Sequence, residues 1–430
     1  MLVKVTDALK GGVAGEVSIR GWVHRKFRVG GKVFIRVRDE SGVIQCVIDR
    51  AAVDPSSWEA AERVSRESSV EVYGTVREDP RAPGGREVAV SRLKVFGYSP
   101  PFPIRGREDV EFLLDHRHLW LRSRRMTAIM KVKHTVLQAL REWLIKDGWW
   151  EVTPPILTGS AVEGGATLFE VKYFDKKAYL SQSAQLYLEV LIYSLGKVWS
   201  ITTSFRAEKS RTRRHLAEYW HLEVEAPWYG MEDMMRVAEE MVAYVVRRVA
   251  EERSEELKLL GRDLKRLEPA METPYPRITY DEAVEMLRKA GVGIEWGDNL
   301  GADEERALTQ EFEKPFFVTH FPKKIKAFYM KLDEGRPDVV LGFDMLAPEG
   351  YGEIIGGSQR EDDYGKLLKR IVEEGLNPKD YEWYLDLRRY GSVPHSGFGL
   401  GVERVVMWLA GLDHIRDAIP FPRFRGRLYP

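Results

Sequence analysis

Cysteine is almost absent. Cys46 is the only one in 430 residues, so no internal disulfide can form and a reducing, cytoplasmic setting is expected. Asparagine occurs only at Asn299 and Asn377 while Glu, Arg and Lys abound, a bias toward durable, ion-paired surfaces of the kind associated with heat adaptation. No run approaches the ~18 consecutive apolar residues of a bilayer-spanning helix. The N-terminal MLVKVTDALKGGVAGE meets charge and glycine too early for a secretory leader, so neither membrane insertion nor export is expected. An excess of one charge sign is missing too, with 66 Lys+Arg against 66 Asp+Glu. GxxxxGK[ST], HExxH, paired CxxC and GxSxG are all lacking, so any nucleotide chemistry needs a cradle other than a P-loop.

What is present describes an ordinary globular chain, 44% hydrophobic and 31% charged, long enough for two or three domains. Residues 1–100 carry 17 basic and 13 acidic side chains, a net +4 that leaves the remainder at −4, which makes the front end the better contact for a polyanion. GEVSIRGWVH, KVFIRVRD and VIQCVID are short alternating or apolar runs joined by Gly30-Gly31 and Ser41-Gly42 turns. A helical stretch over 54–65 and two further strands follow, so an OB-type barrel is predicted for 1–100. Prolines and charges over 101–121 read as a hinge. From 122 to 430 the expected class is α+β: a mainly antiparallel sheet flanked by helices. Within it, helices are predicted over 126–146, 232–258 and 280–290. Strands are predicted over 149–152, 177–181, 198–204, 220–225, 316–319, 326–331, 339–346, 353–356 and 396–401.

The densest chemistry lies in FRAEKSRTRRHLAEYWHLEVE, residues 205–225. It starts at a strand end, passes through Lys209, Arg211, Arg213, Arg214 and His215, and returns in a strand with Glu223 and Glu225 two apart, hence on one face. A solvated basic loop is the commonest account of such charge. Apolar flanking strands and Tyr219 directly after the cations add a stacking platform for a base, which favours a nucleotide site.

This segment resembles the second signature motif of class II aminoacyl-tRNA synthetases, GFGLGVER (397–404) resembles the third, and WWEVTP with Pro154 resembles the first, which lies at a dimer interface. An N-terminal OB barrel joined to such a domain is similar to the aspartyl, asparaginyl and lysyl subclass. The resemblance implies that Arg206 grips the α-phosphate of ATP, Arg404 the γ-phosphate, and Arg214 and His215 the outer phosphates. Glu208 would read adenine, Tyr219 would stack on it opposite Arg404, and Gly399 and Gly401 would let the strand approach the adenosine. Arg206 and Arg404 are thus the catalytic candidates, since in-line displacement at phosphorus needs positioned positive charge rather than a protein nucleophile. Glu353 resembles the Mg²⁺-binding glutamate and Asp344 is a second acidic candidate. Aspartyl enzymes often carry a serine where this chain has Gly356, which leaves the second ligand open.

For the amino acid, the resemblance implies an α-ammonium site at Glu163, Ser183 and Gln185, with Arg360 on the side-chain oxygen. Aspartyl enzymes typically place a lysine where this chain has Leu188, and an aspartate where it has Glu223, preceded here by His221. A glutamate without that lysine repels aspartate and accepts from an amide NH₂. The phrases FPKKIKAFYM, GYGEIIGGSQRE, YLDLRRYGSVPHSGFGLG and IPFPR also look asparaginyl, although Phe424-Arg425 departs from the usual Thr-Pro. Phe34 and Gln45 match the pair that stacks on and hydrogen-bonds the central anticodon base. The implied activity is ATP-dependent ligation of asparagine to tRNA(Asn) by a homodimer. The alternatives are an aspartyl enzyme, a tRNA-independent asparagine synthetase and a non-catalytic RNA-binding paralogue.

Overall fold

The computed structural model describes residues 1–13, 15–159, 161–162, 167–208 and 212–430. The chain divides into two compact units, Met1–Leu114 and Asp115–Pro430. In the first, strands Glu16–Val29, Lys32–Arg38, Val43–Asp49, Ser69–Glu78 and Arg86–Gly97 close a barrel in the order 1-2-3-5-4. Alternation explains it: Val33, Ile35 and Val37 point into a core with Val17, Ile19, Ile44 and Val72, while Phe34 and Arg36 face outward. The helix Pro55–Arg63 follows the third strand, with Asp54 accepting from the amides of Ser56 and Ser57 and Pro55 opening the first turn.

The second unit is built on an eight-stranded sheet. Its order is Arg277–Thr279, Phe316–Thr319, Gly342–Ala347, Gly352–Gln359, His395–Gly401, Glu218–Pro227, Val198–Phe205 and Trp150–Glu151. The central pairs are antiparallel and the pair at each edge is parallel. One face packs on the helices Arg124–Lys146, Met231–Glu252 and Val402–Leu409, whose Ile129, Val132, Met241, Val245 and Val406 join Leu222, Val224 and Leu400 of the strands. A second core around Tyr280, Phe321, Phe328 and Tyr384 takes Phe316 and Val318 from the opposite face of the strand whose Phe317 enters the first core. Among the described residues no helix is long and apolar enough to cross a membrane.

Three sequence expectations need correction. Residues 326–331 are a turn, not a strand, and only Met330 forms an isolated bridge, to Arg360. Phe328 and Tyr329 are both buried, so the segment wraps the second core instead of alternating across a sheet. The strand expected over 339–346 begins at Gly342. The helix expected over 232–258 is interrupted at Arg253, whose guanidinium turns aside to donate to Thr135 Oγ1 at 2.7 Å, and resumes as Ser254–Leu259.

Candidate active-site cleft

On the strand Glu218–Pro227 the period of two sends Leu222, Val224 and Ala226 into the core, and His221, Glu223 and Glu225 to the other face. That face floors two adjoining cavities. The first is lined by Arg206, Glu208, Arg214, His215, Tyr219, Glu353, Gly399, Gly401 and Arg404 among others. The second includes Ser183, Gln185, Glu223, Glu225, Lys326, Asp344 and Arg360. Arg206, His221, Glu353 and Gly399 line both, so the cleft is continuous. Of the residues singled out from the sequence, the nucleotide candidates lie along the first cavity and Ser183, Gln185, His221, Glu223, Asp344 and Arg360 along the second. Glu163 lies outside the described residues, as do Lys209 and Arg211.

In the first cavity two of the cations, Arg404 and Arg214, are held by carboxylates. Arg404 Nη1 donates to the Glu353 carbonyl and meets its carboxylate, both at 3.0 Å. Arg214 meets Glu305 at 2.7 Å, and the same Glu305 oxygen accepts from the Glu353 amide at 2.8 Å. Arg206 lies 5.8 Å from the Tyr219 ring centroid, within cation–π range. Burial, with Arg404 and Arg214 nearby, pushes His215 down to about 4, so it is neutral at pH 7 and shares a hydrogen with Thr212 Oγ1. Gly399 is required before any ligand arrives: a Cβ there would stand 2.3 Å from His221 Nε2.

Burial raises Glu353, but Arg404 and Lys326 outweigh it and bring the carboxyl to about 2. Asp344 goes the other way, to about 6, because burial and the charge on Glu353 together exceed the pull of Lys326, which holds it at 2.7 Å. A Cβ at Gly356 would lie 3.3 Å from Glu353 Oε1 and 3.4 Å from Asp344 Oδ1, so the two carboxylates converge on a space that this glycine leaves open. A hard cation that keeps most of its waters suits two carboxylate oxygens and such a space. Among the described residues no cluster of three or more metal-ligating side chains exists, so no all-protein metal cage is present.

Ser183, Gln185, Glu223, Glu225 and Arg360, which line the second cavity, are all buried. Glu223 accepts from Ser183 Oγ and, at 2.7 Å, from the Ala184 amide. Arg360 forks onto Glu225 through Nε and Nη2 and donates from Nη1 to Ser358 Oγ at 2.7 Å, leaving two of its five N–H groups for a ligand. Burial, with Glu189 and Glu223, pushes Glu225 up to about 8, whereas the fork from Arg360 favours the carboxylate. With two N–H···O contacts in place, the ionised pair is the state the geometry describes.

Leu188 does not belong here. It is fully buried with Ala184, Ile192 and Val198, away from both cavities, because the helix Gln185–Leu195 turns Gln185 and Glu189 toward Arg360 and its opposite side into a small apolar cluster. The expectation that Leu188 occupies a lysine-like place beside the pocket is therefore corrected. Sequence reasoning also missed Lys326 and Glu305. The first sits among three lysines in four positions, and the second in the acidic run DEE, both of which look like solvated charge.

In the barrel, Phe34 is half-buried on the outer face and stacks on Phe27, its cross-strand partner, with centroids 4.8 Å apart and planes 2° apart. Gln45 is 8% exposed and its amide donates to Glu87 at 2.8 Å, which Arg77 also grips. A third, mainly apolar cavity adjoins the first at Glu208 and is lined by Phe169, Phe205, Phe424 and Leu428, giving Phe424 a packing position.

Residues 109–425 match the family described as tRNA synthetases class II (D, K and N), and residues 17–96 match the OB-fold nucleic acid binding domain. The asparagine–tRNA ligase of Pyrococcus horikoshii is 60% identical over 96% of both chains. The crystal structure of the P. horikoshii asparaginyl-tRNA synthetase complexed with asparaginyl-adenylate superposes with a TM-score of 0.95, covering 96% of each chain at 60% identity. The Entamoeba histolytica asparaginyl-tRNA synthetase in complex with asparaginyl-adenylate gives 0.90 at 34% identity, covering 100% of this chain and 99% of that one.

Proposed function

Because the chain belongs to the class II tRNA synthetases of the D, K and N group, we propose how its cleft joins L-asparagine to tRNA through an asparaginyl-adenylate. The asparagine carboxylate attacks the α-phosphorus of ATP and pyrophosphate leaves. A terminal ribose hydroxyl of the tRNA then attacks the acyl carbon and AMP leaves. The observation that carries this reading is the continuity of the two cavities at Arg206, which touches both the cation-lined end and the amino-acid end.

Arg206 meets the α-phosphate at that junction and stabilises the charge that develops as the new P–O bond forms. Arg404, Arg214 and neutral His215 hold the outer phosphates. Tyr219 stacks on adenine and Glu208 reads its edge. Gln185 and Ser183, with Glu163, receive the α-ammonium, and the Ser183 hydroxyl also donates to Glu223. Glu223 has acceptor capacity left for the side-chain NH₂, and Arg360 has donors left for the side-chain oxygen. Glu353 and Asp344 are the residues that would hold Mg²⁺, which when bound offsets phosphate charge. Phe34 stacks an anticodon base of tRNA(Asn), with Gln45 beside it, in a cytoplasmic enzyme. Trp150, 60% exposed, together with Ile156 and Leu157 leaves apolar surface on both sides of Pro154, which supports a homodimer across this strand.

Asparagine-dependent exchange of labelled pyrophosphate into ATP tests the first step and charging of tRNA(Asn) the second. Exchange supported by aspartate in preference to asparagine would overturn the reading, and sedimentation as a 49.5 kDa species at micromolar concentration would overturn the dimer.

A further inference from the structure

Behind the amino-acid cavity lies a polar cluster that the reaction does not use directly. Glu189, on the helix Gln185–Leu195, has no exposed surface, and its Oε2 accepts from Arg388 Nη2 at 2.9 Å and from the Tyr384 hydroxyl at 2.7 Å. His395 Nε2 lies 2.9 Å from the same oxygen, while His395 Nδ1 faces the Val393 carbonyl at 2.8 Å. The other carboxylate oxygen of Glu189 accepts from Gln185 Nε2 at 3.0 Å and stands 4.0 Å from Arg360 Nε. Arg388 and His395 both come from the YLDLRRYGSVPHSGFGLG stretch.

The buried arginines in this region are matched to carboxylates. Arg360 is forked onto Glu225, and Arg388 and His395 both lean on Glu189. Glu223 sits beside the pocket with His221 3.5 Å away. An uncharged amide entering this pocket leaves those pairs undisturbed. A carboxylate entering it brings a negative charge to a pocket where Arg360 already faces Glu225, Arg388 faces Glu189 and Lys326 faces Asp344, and a buried charge without a cation of its own is costly. Glu189 also holds the NH₂ of Gln185, so Gln185 presents its oxygen, an acceptor, to the cavity.

We propose that Glu189, which does not line the cavity, is the positioning residue that makes this pocket prefer an amide over a carboxylate, by consuming the charge of Arg388 and shielding Arg360. This inference rests on the reading that the cleft activates asparagine. It locates the discrimination at Glu189, where an isosteric change alters charge without altering volume.

The test is pyrophosphate exchange with asparagine and with aspartate for the unaltered chain, Glu189→Gln and Tyr384→Phe. Glu189→Gln removes a negative charge and keeps the shape, and its ratio of kcat/KM for asparagine over aspartate should fall at least tenfold through a gain with aspartate. Tyr384→Phe removes a hydrogen bond to the same carboxylate with no change of charge, and its ratio should stay within about threefold of the parent. An unchanged ratio in folded Glu189→Gln, or an equal fall in Tyr384→Phe, overturns the proposal. The unaltered chain supplies a second arm that does not depend on folding of a variant. Rejection by charge requires the aspartate-to-asparagine ratio to rise about tenfold per pH unit from 7 to 5, as the neutral β-carboxyl form of aspartate grows. A flat ratio overturns the proposal. Absence of exchange with asparagine in the unaltered chain would instead remove the reading beneath it.

Discussion

At the nucleotide end of the cleft, Arg206, Arg214 and Arg404 line the cavity themselves, and the carboxylates that steady two of them, Glu305 and Glu353, come from neighbouring elements. At the amino-acid end, Arg360 and Arg388 are buried almost completely and bound to Glu225 and Glu189 before any ligand enters. The difference follows from what each end meets. A polyphosphate brings several charges that shift during the reaction, so cations facing the cavity are useful there. An amide brings none, and the distinction from a carboxylate is sharpest where the buried arginines already have their partners.

The comparison can be broken at either end. The largest effect is expected from Leu188→Lys. An ammonium placed in the apolar cluster of Ala184, Ile192 and Val198 would be depressed by ~3 pH units, a loss of roughly 4 kcal/mol of stability read by denaturant unfolding. A stable variant that accepts aspartate would show instead that Leu188 reaches the pocket. Next comes Arg206→Ala, expected to fold normally and to lose 10²- to 10³-fold in exchange rate, about 2.7–4 kcal/mol. Unchanged exchange would mean that the junction of the cavities is not where the α-phosphate sits.

The barrel supplies a control, since none of its described residues lines either cavity. Phe34→Ala should weaken tRNA charging by ~1–3 kcal/mol while leaving exchange intact. Parallel loss of both activities would mark Phe34, stacked on Phe27, as structural. The smallest effect belongs to His215→Gln. Because His215 is held near 4 in the folded chain, below the ~6.5 of an unperturbed histidine, its contribution to stability is present above pH 6.5 and lost as pH falls toward 4. The pH profiles of kcat/KM for ATP in parent and variant should therefore run parallel between pH 6 and 8. A limb near 6.5 present only in the parent would mean that His215 is charged in the free enzyme.

Much of the cleft was legible because strand periodicity is rigid. Once Leu222 and Val224 are assigned to the core, His221, Glu223 and Glu225 must share the opposite face. The helix Gln185–Leu195 gives no such certainty. Leu188 and Glu189 lie to either side of Gln185, about 60° one way and 40° the other at 3.6 residues per turn, and which of them joins the pocket depends on how the helix rolls against its neighbours. Arg388 and His395 resolve it by drawing Glu189 toward them.

The amino-acid sequence by itself determined the barrel, the alternation of the large sheet, the ordered motifs at 205–225 and 397–404, and hence the family, because these rest on local periodicity and on residue types at short spacing. The tertiary structure alone decided which charges are matched. Glu305 reaches Arg214 across 91 residues, Glu225 reaches Arg360 across 135, and Glu189 reaches Arg388 across 199. Pairing across such separations leaves no periodic trace, since any of the 66 acidic side chains could in principle meet any of the 66 basic ones. Only packing, which withdraws water and makes an unmatched charge costly, selects the pairs that form.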